Sequence, residues 1–182
     1  MPSSVLDPTA PIRDLLGTFP SARRALFAHF HIGGCQSCAF SEENSLEQVC
    51  RDNEIDLEKA IQVITESHEE EQALLLEPST LQSELSSEEP PIIIDTRTRE
   101  EFEAVPFPNA ELLTDSTLSR LSSQTPPPRV ILFDHSGQSV LNHVSWFRGH
   151  GLNETFALAG GIDRYAQEVD SSIPRYRLEV DA

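Results

Sequence analysis

Short apolar runs that alternate with helical patterns constrain the fold of this chain more than any other feature. The runs IIID (92–95), RVILF (129–133) and ETFAL (154–158) are each bounded by turn residues, as is typical of buried parallel strands. AELL (110–113) is a further candidate strand, and REEFEAV (99–105) and AGGIDRYAQEV (159–169) have helical spacing. This alternation predicts an α/β layer fold in the second half, a parallel sheet flanked by helices.

The first half, in contrast, has only helical patterns. Ala22, Leu26 and Phe30 recur at a spacing of four residues, which predicts one helix. Asn44 or Ser45 can cap a second helix, and Asp56 a third that we expect to cover residues 57–76. A polar connector that ends in two prolines follows at 77–91. We therefore predict a small all-α N-terminal domain (1–74) and an α/β C-terminal domain (75–182).

The charge balance excludes several classes of partner. The chain has 30 acidic and 13 basic residues, a net charge of −17, which repels nucleic acid and anionic membrane surfaces. No apolar run approaches the roughly 20 residues of a membrane span. The first residues lack the layout of a secretory signal, and three cysteines do not suit a disulfide scaffold. These observations predict a cytoplasmic protein whose charged protein partners are basic. We also expect no cofactor.

Three segments of the second half resemble motifs of one known family. IIIDTRTREEF contains the pattern D-x-R-x-x-x-E-F, FPNA lies at 107–110, and LAGGIDRY lies at 158–165. In this order, and over roughly residues 75–176, they resemble the rhodanese domain, the fold of the sulfurtransferases. The resemblance implies a catalytic loop after the strand RVILF.

That loop departs from the family at its most important position. The family's loop begins with a cysteine and reads like C-R-S-G-x-R-S, whereas this chain has D-H-S-G-Q-S-V. A carboxylate cannot form the persulfide that sulfur transfer requires. We therefore predict that the chain is not a thiosulfate sulfurtransferase. The candidate anion-loop residues are Asp134, His135, Ser136, Gly137, Gln138 and Ser139.

Three roles are open for Asp134 at this point. It could cap the helix that follows the turn, a position that aspartate favours. It could fill the anion site itself by accepting hydrogen bonds from the N–H groups of residues 136–139. It could also form an acid–base pair with His135 for another reaction, such as hydrolysis.

The first half contains a C-x-x-C motif in HFHIGGCQSC (29–38). Cys35 and Cys38 are candidate redox-active or sulfur-carrying thiols. Alternatively, they could bind a metal ion together with His29 and His31, or be structural. Cys50 lies on an apolar helix face, where we expect it in the core.

The segment 11–64, with SLEQVC and EIDLEKAIQVI after the cysteine pair, resembles a small helical domain of unknown function. Some members of that family are associated with hybrid-cluster proteins. Together the two resemblances imply an inactive rhodanese-like protein with an accessory or binding role in sulfur or redox handling. Its partner would be a protein, basic or engaged in iron–sulfur or sulfur handling. The alternatives are a sulfurtransferase or persulfide carrier that uses Cys35 and Cys38, and a metal-binding regulatory module.

Overall fold

The computed structural model describes residues 6–32, 40–137 and 139–176. The contacts within the chain divide it into two units, residues 1–73 and 74–182. Among the helices of the described ranges, none combines the length and the apolar character that crossing a membrane requires.

The first unit consists of helices around one apolar core. They are α1 (Ile12–Thr18), α2 (Ala22–Phe30), α3 (Leu46–Asp52) and α4 (Leu57–Gln72). Ser45, rather than Asn44, caps α3 in a reciprocal capping box with Gln48, and Asp56 caps α4 by accepting from the N–H of Lys59 at 2.8 Å. The core includes apolar residues of every helix, namely Ile12, Leu15, Leu26, Leu46, Val49 and Ile64.

The position predicted for the C-terminal end of the third helix, residue 76, is wrong. α4 ends at Gln72, and Leu75–Leu76 form a short strand, β1, that pairs in parallel with Ala157 and Leu158. A run of three leucines fits a helix face as well as an edge strand, so the apolar pattern alone does not distinguish the two. The leucines form a strand because they can pair with a sheet strand about 80 positions further along the chain.

In its described residues, the second unit contains a five-stranded parallel sheet with the strand order β1-β5-β4-β2-β3, flanked by helices, which confirms the predicted fold class. The other strands are β2 (Ile92–Asp95), β3 (Glu111–Leu112), β4 (Val130–Phe133) and β5 (Thr155–Leu158). The helices are α5 (Pro78–Leu85), α6 (Arg99–Ala104), α7 (Asp115–Ser122), α8 (Val140–Gly149) and α9 (Gly161–Glu168). The sequence patterns indicate α6, α8 and α9, whereas α5 forms within the polar connector and no pattern indicates α7.

Alternate residues of the central strands point to opposite faces of the sheet, and each face has its own apolar core. Ile131 and Phe133 pack with residues of α5 and α9, whereas Val130 and Leu132 pack with residues of α7 and α8. Helices therefore cover both faces, which explains why β4 is apolar at every position. The carboxyl ends of β2 and β4 lie side by side, because Asp95 and Phe133 are register partners.

Candidate functional site

The site is built at the carboxyl end of β4, where the chain turns into α8. We call residues 134–139 the anion loop; Gln138 lies outside the described residues. The Asp134 side chain points into this loop and is buried, at 7% exposure. One carboxylate oxygen, Oδ1, accepts hydrogen bonds from the backbone N–H groups of Ser136, at 3.1 Å, and Gly137.

The second carboxylate oxygen of Asp134 has three donors. Oδ2 accepts from the N–H groups of Ser139 and Val140, both at 2.9 Å, and from the Ser139 hydroxyl at 2.7 Å. Ser139 precedes α8 and Val140 is its first residue, so these N–H groups belong to the positive end of the helix. The carboxylate therefore occupies the ring of donors that the loop forms.

Glycines allow the anion loop to pack closely against the start of α9. Gly137 and Gly161 have φ angles of +80° and +61°, which a residue with a side chain rarely adopts. A Cβ atom on Gly161 would lie 2.5 Å from the Asp134 carbonyl oxygen and 2.6 Å from that of His135. The same carbonyl groups accept hydrogen bonds from the N–H groups of Ile162 and Asp163, at 3.0 and 3.2 Å. The loop conformation thus depends on contact with α9.

A buried ion pair supports the loop from the neighbouring strand. Arg97 donates to both carboxylate oxygens of Asp95, from Nε at 2.9 and 3.1 Å and from Nη2 at 2.5 Å. Nη2 also donates to the Val105 carbonyl at 2.8 Å. Both charged side chains are almost fully buried, at 1% and 0% exposure, and the pair is well satisfied because each partner has further polar contacts.

The mouth of the site is formed by Tyr176, Glu101 and His135. The Tyr176 hydroxyl accepts a hydrogen bond from Arg97 Nη1 at 2.8 Å and donates one to Glu101 at 2.7 Å. The Tyr176 ring lies 4.5 Å from the His135 ring, measured between centroids. His135 Nδ1 is buried and has no hydrogen-bond partner among the described residues.

These contacts shift the pKa values of Tyr176 and Glu101 in opposite directions. Burial and the hydrogen bond to the Glu101 carboxylate raise the pKa of Tyr176 to about 12. Burial tends to raise the pKa of Glu101, but the hydrogen bonds from Tyr176 and Thr98 and the charge of Arg97 outweigh it, so the pKa lies below its ordinary value. At neutral pH the pair is therefore a phenol that donates to a carboxylate.

The predicted sites of the first half are only partly described. Cys35 and Cys38 lie outside the described residues, so their predicted role remains a prediction. His29 lies in the last turn of α2, and His31 follows the helix in a left-handed conformation. Within the described ranges, no cluster of three or more metal-ligating side chains occurs. Cys50 is buried in the helical core at 2% exposure.

Sequence reasoning missed Tyr176 entirely and assigned Arg97 and Glu101 to a motif without a role. Arg97 and Glu101 lie in the recognisable D-x-R-x-x-x-E-F pattern, so that pattern could have indicated their site. Tyr176 is separated from its two hydrogen-bond partners by 79 and 75 positions. No periodicity or local motif connects positions so far apart.

Several solved structures are similar to this chain in part. A protein from Staphylococcus saprophyticus subsp. saprophyticus is 20% identical, with a TM-score of 0.44, over 52% of this chain and 94% of its own. A rhodanese-like domain protein from Staphylococcus aureus is 23% identical, with a TM-score of 0.42, over 52% and 93%. A protein of unknown function from Rhodopseudomonas palustris, described as a possible tyrosine phosphatase, is 17% identical, with a TM-score of 0.44, over 58% and 88%.

No curated protein matches the chain. The family model of the rhodanese-like domain matches residues 77–168, which is just over half of the 182 residues. The matched segment begins in the connector before α5 and ends with α9, and it includes the whole anion loop. The chain therefore belongs to the rhodanese-like domain family.

Proposed function

We propose that the α/β unit is a non-catalytic rhodanese-like module with an accessory or binding role in sulfur or redox handling. The observation that carries this proposal is the Asp134 carboxylate, which accepts five hydrogen bonds inside the anion loop. Asp134 stands where the resemblance places the cysteine nucleophile. An internal anion thus fills the space that a persulfide or an anionic substrate would need.

The chemistry of the loop supports the same conclusion. Transfer of a sulfane sulfur requires a thiolate that attacks the sulfur and carries it as a persulfide. A carboxylate oxygen is a poor acceptor of sulfur, and here both oxygens are engaged by N–H or hydroxyl donors. The loop also lacks the arginines of the family's pattern, since His135 and Ser139 stand in their places.

An acid–base pair of Asp134 and His135 is less well supported. The carboxylate takes its hydrogen bonds from the main chain and from Ser139, while His135 Nδ1 has no partner within the part of the chain that the structure describes. General acid–base catalysis by the pair would need the two groups within hydrogen-bond reach of each other or of one shared proton. The contacts favour a structural carboxylate.

In this proposal the N-terminal unit supplies the reactive thiols, Cys35 and Cys38, and the partner is a protein. The net charge of −17 favours a basic partner surface. Intact-mass measurement before and after alkylation, with metal analysis of the same sample, separates the alternatives. A gain of one sulfur atom, about 32 Da, on a thiol would favour a persulfide carrier, and stoichiometric zinc or iron would favour a metal-binding module.

The first test is turnover of thiosulfate and cyanide, with an active rhodanese as the positive control. We expect no turnover by the wild type. We also expect Asp134→Cys to restore little activity, because the loop still lacks the cationic side chains that lower a thiol pKa and bind the anion. Robust wild-type turnover that survives alkylation of the cysteines would contradict the proposal.

The second test asks whether Asp134 fills the anion site. Sulfate should raise the melting temperature of Asp134→Ala and leave the wild type nearly unchanged, because only the variant offers empty donors. Chloride at matched ionic strength controls for charge screening across this acidic chain. Glu103→Ala removes one exposed carboxylate of α6 and controls for the change in net charge. Equal responses of wild type and Asp134→Ala to sulfate would show that the carboxylate is only a helix cap.

A further inference from the structure

The last described residues of the chain lie across the mouth of the site. The segment 173–176 follows α9, and its first residue, Ile173, is buried in the core between α9 and the sheet. Two side chains then attach the segment to the surface. Arg175 forms a two-point ion pair with Asp163, at 2.8 and 2.9 Å, and Tyr176 forms the contacts with Arg97, Glu101 and His135 described above.

Tyr176 packs at the margin of the apolar core beside α9, but its polar contacts are those of a bound ligand. Its hydroxyl group lies between a cation, Arg97, and an anion, Glu101. The hydroxyl oxygen accepts a hydrogen bond from Arg97, and the hydroxyl proton is donated to Glu101. Its ring packs against the ring of His135. We call the space between Arg97, Glu101 and His135 the phenol notch, because a neutral hydroxyl that both accepts and donates suits this opposed pair of charges.

Two hollows that share His135 lie beside the contacts of Tyr176. One, of about 400 Å³, is lined by His135, Asp163, Arg175 and Tyr176. The other, of about 240 Å³, lies over the anion loop and includes Arg97, Glu101 and Asp134 in its lining. His135 is half-buried, and withdrawal of Tyr176 would widen the space around it and uncover the part of its ring that packs against the Tyr176 ring.

We propose that residues 174–176, which follow the buried anchor Ile173, are a latch on the anion loop, and that the phenol notch is a binding site which Tyr176 fills from within the same chain. The ligand class of the notch is a phenol, such as a tyrosine side chain of a protein partner. This inference rests on the proposed function, since it concerns access to the same cleft. As the intramolecular ligand, Tyr176 is present at a high effective concentration, so an external phenol competes only when the latch is open.

The polar contacts of the latch can be exchanged at modest cost. The Arg175–Asp163 pair is partly exposed, at 52% and 30% of the side-chain surface, so that water can replace its hydrogen bonds. Tyr176 itself is only half-buried. The Arg97–Asp95 pair, in contrast, is buried and remains satisfied without Tyr176, because Nε and Nη2 keep their bonds to Asp95. The notch is therefore preformed, and the latch can open without unfolding the site.

The first experiment measures how fast diethyl pyrocarbonate modifies His135 in the full-length protein, by peptide mapping. His150, which is exposed at the end of α8, is the internal reference. We expect modification of His135 in Tyr176→Ala to be faster by on the order of tenfold or more, because this variant loses two hydrogen bonds of ordinary net strength and also the ring that packs against His135. Arg175→Gln should give a smaller increase, and His150 should not change.

The second experiment tests the ligand class with 4-methylphenol, which is the tyrosine side chain itself. It should raise the melting temperature of Tyr176→Ala and leave the wild type unchanged, because the notch is empty only in the variant. Toluene, which lacks the hydroxyl, should have no effect. Tyr176→Phe keeps the ring and loses both hydrogen bonds, so His135 in this variant should react at an intermediate rate.

Unchanged reactivity of His135 in both folded variants, Tyr176→Ala and Arg175→Gln, would overturn the latch. Equal stabilisation by toluene and 4-methylphenol would overturn the phenol notch. If Tyr176→Ala fails to fold, the Arg175→Gln and Tyr176→Phe variants decide the question of the latch. Neither readout depends on sulfur transfer, so thiosulfate turnover by the wild type would contradict the proposed function while leaving the latch intact.

Discussion

Replacing Asp134 with alanine removes the carboxylate and leaves its donors without an acceptor. Four of these donors are backbone N–H groups, and three of them belong to exposed or half-buried loop residues, so water can take the place of the carboxylate there. The fourth belongs to Val140, which is 0% exposed. One buried unsatisfied donor costs about 1–3 kcal/mol, and we expect Asp134→Ala to lower the free energy of unfolding of the α/β unit by this amount.

Urea denaturation monitored by tryptophan fluorescence measures this loss of stability in the α/β unit alone. The chain has one tryptophan, Trp146, which lies in α8, so the signal reports the α/β unit and not the helical unit. Glu103→Ala, which removes an exposed carboxylate of α6, is the matched control and should change the free energy by no more than about 0.5 kcal/mol. If Asp134→Ala and Glu103→Ala have the same free energy of unfolding, the hydrogen bonds between the loop and the Asp134 carboxylate do not stabilise the α/β unit.

Three further predictions concern other parts of the chain. Mild oxidation should join the two thiols of the C-x-x-C motif and spare Cys50, whose thiol is buried and has a raised pKa because of burial and the charge of Asp56; peptide mapping that finds Cys50 in a disulfide would contradict this. Difference absorbance titration of wild type against Tyr176→Phe should give a phenol pKa near 12. The stability that this phenol contributes should be complete below its unfolded pKa of about 10 and be lost as the pH rises through the folded value. If the Tyr176 phenol instead ionises with a pKa near 10, its burial against the Glu101 carboxylate is refuted. Gly161→Ala should destabilise the α/β unit by about 2–4 kcal/mol, because the new Cβ clashes with two carbonyl groups and the residue has a positive φ. Gly149→Ala is the control and should not destabilise the unit, because its Cβ would meet no atom within 4 Å. If both variants have the same urea midpoint, the loop and α9 can separate.

The features that could be predicted from the sequence are those set by neighbouring residues. Ser45 and Asp56 cap their helices because a cap needs only its own side chain and an N–H group three residues later. β4 is identified by its continuous apolar run, since a strand covered on both faces has no polar positions. The hydrogen bonds of Asp134 likewise reach no further than Val140, six residues away, so an anion loop closed by its own carboxylate could be proposed from local sequence.

The features that only the tertiary structure decides depend on residues far apart in the chain. Leu75–Leu76 form a strand because the edge of β5 is available to pair with them, which the leucine run itself does not indicate. The loop conformation requires the start of α9, about 25 residues later, to approach it closely. Tyr176 meets Arg97 and Glu101 because the carboxyl ends of the parallel strands and the segment after α9 converge at one edge of the sheet. Such convergence is a property of chain topology, and a single sequence carries no local signal for it.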